Sequence, residues 1–283
     1  MPLMQIELKQ RVVSAVILGL IVLGLAWYGG VPFKIFAAIL AFLIYVEWTM
    51  MIRAPHYSAP GYVAGWAAII LVMVFTITGA GVAAVASLLV GSGTVWILAR
   101  ATGRKAIWIA LGVLYAGFSG LAIAEVRDDT TLGLIGIAFI FAVVWATDIF
   151  AYFCGRALGG RKLAPKISPG KTWSGAVFGV LAAVAAGTAV ALVTIETGSL
   201  WIPVLAGILS ISSQLGDLFE SWMKRKHAVK DSGRLIPGHG GVMDRVDGLV
   251  FAAFAAFVIA VVAEGGIPTR EFGSPIAASM FGL

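Results

Sequence analysis

The sequence predicts an all-α integral membrane protein, a polytopic helical bundle of about nine transmembrane helices with a cytoplasmic N-terminus. Three observations predict it. The 283-residue chain is 60% hydrophobic and 12% charged, with a mean hydropathy of +0.98, whereas a soluble globular chain carries about 25% charged residues. Its apolar runs approach 20 residues, the length of a helix that crosses a hydrocarbon core about 30 Å thick at about 1.5 Å per residue. A barrel would show shorter, alternating segments. Threaded through nine spans, 17 of the 20 Lys and Arg residues fall on the side of the N-terminus, a strong positive-inside asymmetry.

The spans follow in order. The first, 12–28, comes after Lys9 and Arg11 and has the outline of a signal peptide. It lacks a small-residue cleavage site and runs on to Tyr28, so a retained span is expected. Next come 33–52, 62–79, 82–99 and 106–124, of which 82–99 is the weakest because Gly91-Ser92-Gly93 interrupts it. The remaining spans are 132–153, 173–195, 200–219 and 246–263. The chain thus divides into 1–130, with about five spans, and 131–283, which holds two long polar segments at 155–172 and 220–245. Both segments land on the cytoplasmic side, and only Lys34, Arg127 and Arg270 fall on the other. Tryptophans such as Trp27, Trp48, Trp96, Trp108, Trp173 and Trp201 lie near span ends, as an interfacial aromatic belt requires.

Composition also excludes. A net charge of +6 in such a chain reports on topology and anionic headgroups, not on nucleic acid. The single cysteine, Cys154, rules out an intrachain disulfide and any multi-cysteine metal site. No Ser-His-Asp arrangement has meaningful spacing, and nothing points to zinc or haem.

Three polar constellations remain. At the end of the eighth span, Asp217, Glu220 or Ser221, and Lys224 recur at helical spacing and share one face. A carboxylate, a second oxygen and a cation in one stripe suit Mg²⁺ with a phosphate oxygen; the structural alternative is a helix end whose charges reach for water. Next, Pro237-Gly-His-Gly-Gly241 leads to Asp244 and Asp247, three residues apart at the start of the ninth span. Glycines before a helix let backbone N–H groups approach an anion, and the paired aspartates either cap the helix or hold a divalent ion. The third runs from Asp148, a carboxylate inside an apolar span, through Arg156, Lys162 and Lys166 to Ser168 and Lys171. Its basic residues bind phosphate or an anionic headgroup, or simply mark the inner face. Gly170-Lys171-Thr172 is not a phosphate loop, because Pro165 stands where that motif needs glycine and no strand precedes it. Glu47, inside the second span, is either functional or paired by packing, and His56 reads as a solvated loop residue.

With these residues in hand, the chain resembles the phosphatidate cytidylyltransferases, or CDP-diacylglycerol synthases. Their signature runs here from Ser221 through Lys224-Arg225, Lys230-Asp231, Gly233 and Ile236-Pro237 to His239-Gly240-Gly241 and Asp244-Arg245-Val246-Asp247, with every specified position matched. Asp148, Tyr152, Gly155-Arg156, Ile167-Ser168-Pro169 and Lys171-Thr172 resemble the family's other cytoplasmic region. The resemblance is sharp over 148–247; before residue 130 it rests on the pattern of spans.

The resemblance implies that CTP and phosphatidate give CDP-diacylglycerol and pyrophosphate with Mg²⁺, leaving room for a second cation. It makes 131–283 the catalytic region. It implies a homodimer, multi-pass in the cell's inner membrane among membrane lipids, its active site facing the cytoplasm. On that basis Asp217 and Asp244 are the first choices as metal ligands, with Asp247 next and Asp148 either a ligand or a group beside the metal. Lys224, Arg225, Lys230 and Arg245 are expected to hold phosphates. His239, Gly240 and Gly241 are expected at the triphosphate or the leaving pyrophosphate, and Lys166, Ser168 and Lys171 at the lipid headgroup or CTP. The choice of CTP over another nucleotide rests on the resemblance alone. A transferase that consumes CDP-diacylglycerol would carry an Asp-Gly-x2-Ala-Arg motif, which is absent. A transporter for a phosphorylated or anionic solute would place polar groups at midplane and show related halves. A lipid-anchored scaffold leaves Gly-His-Gly-Gly beside paired aspartates unexplained.

Overall fold

The computed structural model describes residues 2–56, 58–101, 106–128, 130–195, 199–233, 235, 240–265 and 276–283. Most of the described residues are helical, and the strands among them form one small hairpin. The elements are α1 (Pro2–Tyr28), α2 (Gly30–Met51), a 3₁₀ turn (Ala54–His56), α3 (Ala59–Thr78), α4 (Gly81–Arg100), α5 (Ala106–Arg127) and α6 (Thr131–Leu158). Then come β1 (Lys162–Ala164), β2 (Ser168–Thr172), α7 (Trp173–Thr194), α8 (Trp201–Lys226), α9 (Met243–Ala263) and α10 (Ile276–Phe281). Among the described residues, α2 to α9 supply eight helices long and apolar enough to cross a membrane. The described apolar part of α1, Val16–Tyr28, is shorter than a full span.

The chain forms two compact units, residues 1–124 with 227–245, and residues 125–226 with 246–283. In the first, the core gathers on α2. Trp48 is fully buried, its indole N–H donating to the Trp108 carbonyl at 2.8 Å and its ring stacked on Tyr115. It therefore belongs to the core and not to an interfacial belt; Trp27, Trp96 and Trp173 are exposed as a belt requires. The glycines that weaken 82–99 as a sequence pattern do not break α4. A methyl at Gly91 would lie 2.5 Å from the Ala68 methyl, so that glycine lets α3 and α4 pack closely.

In the second unit, α7 lays a stripe of small buried residues, Gly175, Gly179, Ala183, Gly187 and Ala191, along one face. Positions four apart share a helix face, and small residues there let backbones approach. A Cβ at Gly175 would lie 2.5 Å from the Ala151 carbonyl oxygen and 3.1 Å from the Gly155 Cα, both on α6. Gly175→Val is therefore expected to destabilise this unit by about 1–3 kcal/mol, read as a lowered thermal midpoint in detergent. Gly170→Ala, with no atom near the added methyl, is expected to leave that midpoint unchanged. From α6 to α8, the Thr147 and Ser210 hydroxyls hydrogen-bond at 2.7 Å in a buried setting.

The expected loop at 155–172 is more ordered than its polarity suggests. Helix α6 continues through Arg156 and stops at Leu158, where Gly159 and Gly160 both take positive φ, 62° and 98°. Residues without a side chain adopt that region at little cost. The chain then returns as the antiparallel β1–β2 pair, with Lys162 opposite Thr172 and Ala164 opposite Ser168. Thr172 caps α7, accepting from the Gly175 N–H at 3.1 Å, and the Ser174 hydroxyl donates to the Gly159 carbonyl at 2.5 Å. The hairpin is thus tied to the end of α6 and the start of α7.

Candidate active site

The turn, the hairpin and the adjoining helix ends enclose a cavity of about 680 Å³ in the second unit. Asp148, Tyr152 and Arg156 reach it from α6, Lys162, Ser168 and Lys171 from the hairpin, and Gln214 and Asp217 from α8. Three helices and two strands thus bring to one wall residues that lie up to 69 positions apart, from Asp148 to Asp217.

Asp217 is the centre of its charge pattern. One carboxylate oxygen pairs with the Lys171 ammonium, and the other accepts from the Ser221 hydroxyl at 3.3 Å. The cation beside Asp217 therefore comes from β2 and not from its own helix. Lys224, expected in the same stripe, instead pairs one turn back with Glu220 at 3.0 Å. Seven residues along a helix is two turns, too far for one ion pair when a carboxylate stands at four. Asp148 lies close enough to feel both Asp217 and Lys171 electrostatically. Asp247, on α9, interacts with Asp217, Asp148 and Glu220, and its carboxylate also accepts from the Gly248 N–H at 2.8 Å.

On the rim, Arg156 donates to the Tyr152 hydroxyl at 2.6 Å. Gln214 donates to the Ala176 carbonyl at 3.3 Å, joining α8 to α7. Ser168 is half-buried and lines the cavity, whereas Lys166 is exposed in the hairpin turn and lies outside the lining. Arg225 is exposed at the end of α8.

The first unit holds the rest of the signature. Lys230 and Arg245 are exposed. Gly240 has φ 87°, and the Gly241 N–H donates to Asp244 Oδ2 at 2.9 Å. The same Oδ2 accepts from the Ser232 N–H and hydroxyl, each at 2.9 Å. Glu47 joins this group from α2, accepting from the N–H groups of Val242 and Met243 at 2.8 Å each and from the Ser232 hydroxyl at 3.0 Å. His239 lies outside the described residues. The sequence marks Glu47 as either functional or paired by packing and does not single out Ser232 or Gln214. A lone carboxylate in an apolar run is the signal for Glu47; ordinary polar residues carry none.

The donor set can be tested against a divalent ion. Among the described residues no three Asp, Glu, His or Cys side chains converge into a ready-made cage. Mg²⁺ does not need one, since it is bound through one or two carboxylates, water and substrate phosphates. Asp148 and Asp217, two oxygen ligands on one cavity wall beside a lysine, fit that partial coordination.

The sequence model of the cytidylyltransferase family matches residues 9–263. The chain is 46% identical over 270 residues to the phosphatidate cytidylyltransferase of Brucella suis, covering 95% of this chain and 99% of that one. It is 32% identical over 270 residues to the phosphatidate cytidylyltransferase of Bacillus subtilis, covering 90% and 99%. A Staphylococcus epidermidis protein of the same name is 36% identical over 252 residues, covering 86% and 95%.

Proposed function

The chain belongs to the cytidylyltransferase family, and on that basis we propose that it transfers the cytidylyl group of CTP to phosphatidate, giving CDP-diacylglycerol and pyrophosphate. The observation that carries the reading is the Lys171–Asp217 pair beside Asp148 in a cavity lined by further cations. Both substrates are strongly anionic, so their mutual repulsion is the first obstacle. Arg156, Lys162 and Lys171 offset it, and positioned cations also stabilise charge that develops in the transition state.

A phosphatidate phosphate oxygen attacks the α-phosphorus of CTP, forming a new P–O bond. The bond from that phosphorus to the bridging oxygen breaks, and its electron pair leaves with pyrophosphate. Such a transfer needs alignment and charge neutralisation more than a protein nucleophile, in keeping with a sequence that has a single cysteine and no meaningfully spaced Ser-His-Asp arrangement. Asp217, Asp148 and Asp244 are each proposed as Mg²⁺ ligands, with Asp247 as the next candidate. When bound, the ion neutralises phosphate charge. Lys166, Ser168 and Lys171 are assigned to the lipid headgroup or CTP. Lys224, Arg225, Lys230 and Arg245 are assigned to phosphates, and His239, Gly240 and Gly241 to the triphosphate or pyrophosphate. The eight apolar helices make this a multi-pass membrane protein. The bacterial relatives support an inner-membrane location, and the 17-to-3 charge split supports a site facing the cytoplasm. A homodimer completes the proposal.

The test is product formation by purified, detergent-solubilised protein given phosphatidate, Mg²⁺ and each ribonucleoside triphosphate in turn. A CDP-lipid with pyrophosphate, made from CTP in strong preference and lost with EDTA, is expected. Folded protein that makes no liponucleotide from any triphosphate would overturn the reading.

A further inference from the structure

We propose that Glu47 is a positioning residue that sets the start of α9 and, through Ser232, the carboxylate of Asp244; the proposal rests on the reading that Asp244 serves a divalent ion. Glu47 is 1% exposed and lies in the last turn of α2, 197 residues before Asp244. Its two oxygens accept three hydrogen bonds, from Val242 N–H, Met243 N–H and Ser232 Oγ. The first N–H groups of a helix have no partner within the helix, so a carboxylate from another helix closes the start of α9.

The linkage to Asp244 is direct. The Ser232 hydroxyl lies 3.0 Å from Glu47 Oε2 and 2.9 Å from Asp244 Oδ2. A hydroxyl has one proton to donate, so the two carboxylates share it. With the Ser232 and Gly241 N–H groups also on Oδ2, that oxygen of Asp244 is held from three directions. The surrounding chain is shaped to Glu47. A Cβ at Gly233 would overlap its carboxylate, and one at Gly241 would overlap the Ser232 hydroxyl and lie 2.5 Å from Glu47 Oε2.

A local Ser or Asp cap would satisfy a helix start with no distant charge. Burying a carboxylate instead is costly unless its hydrogen bonds are complete. The arrangement makes sense where the helix must start at a set place, here one residue before Asp244.

The experiment uses the full-length protein in detergent, with Glu47→Gln and Ser232→Ala. Gln keeps the size but turns an amide N–H₂ toward a donor. Ala keeps both backbone bonds to Glu47 and removes only the bridge. Mn²⁺ binding to substrate-free protein is read by electron paramagnetic resonance, and kcat and the KM for CTP by turnover. Both variants are expected to weaken Mn²⁺ binding and lower kcat by about 10-fold or more, as supports of metal ligands do, with the KM for CTP little changed. If Glu47→Gln fails to fold, Ser232→Ala decides. Variant binding equal to wild type, whatever the stability, overturns the proposal alone. Wild-type protein that binds no Mn²⁺ and turns over equally well with EDTA present overturns the metal reading and this proposal with it.

Discussion

Asp217→Asn is expected to lower kcat by about 10³-fold, at the upper end of what removal of one preorganised electrostatic group costs, while the protein still inserts and elutes as wild type. The substitution removes little else. Asn is nearly isosteric, and its carbonyl oxygen can still accept from the Ser221 hydroxyl that lies 3.3 Å from Asp217 Oδ1. The ion pair with Lys171 is lost, but the two side chains are 34% and 25% exposed, and pairs of that exposure contribute only about 0–1 kcal/mol. Stability therefore cannot account for a large fall in turnover. What disappears is the charge on an oxygen facing the cavity. Near-normal turnover by Asp217→Asn at saturating Mg²⁺ would remove Asp217 from the metal assignment. The same exchange at Asp244 is less clean, because Asp244 Oδ2 already accepts three hydrogen bonds from Ser232 and Gly241.

The transmembrane helices were legible because a bilayer imposes a length and an apolarity that a one-dimensional scan detects. Helix ends were less so. The sequence reading ended spans at 153 and 219, where hydropathy falls, yet α6 runs to Leu158 and α8 to Lys226, since backbone hydrogen bonding continues beyond the apolar run. The hairpin was read as a loop because its strands are three and five residues long, too short for a period to register. In the site, the residue types were legible and the pairings were not. Asp217 and Lys171 are 46 positions apart, so no helical spacing could join them, and the stripe along α8 pointed instead to Lys224. Glu47 illustrates the same limit from the other side. Its place in an apolar run marked it, but its three donors lie nearly two hundred residues on and only the fold assembles them.

Lys171→Met separates two roles that one cation can play. Lys171 touches Asp217 and lies within electrostatic reach of Asp148, so without substrate it balances charge where a divalent ion is proposed to bind. With substrate, its assignment is to hold phosphate. The two roles predict opposite effects on metal. A lysine that competes for the carboxylates weakens metal binding, so its removal lowers the half-saturating Mg²⁺ concentration. Removal of a lysine that only orients them raises it. On the phosphate side the sign is the same either way: a hydrogen bond to a charged group contributes about 1.5–3 kcal/mol, so its loss is expected to reduce kcat/KM for an anionic substrate by about 10- to 100-fold. Met keeps an apolar stem as far as Cε and removes the ammonium, so packing in β2 changes little. The expected result is therefore a large fall in kcat/KM with a half-saturating Mg²⁺ level that does not rise. A rise in that level with kcat/KM otherwise intact would mean that Lys171 orients Asp217 and does not meet substrate. Titrating Mg²⁺ at two fixed concentrations each of CTP and phosphatidate separates these outcomes and shows which substrate the ammonium serves.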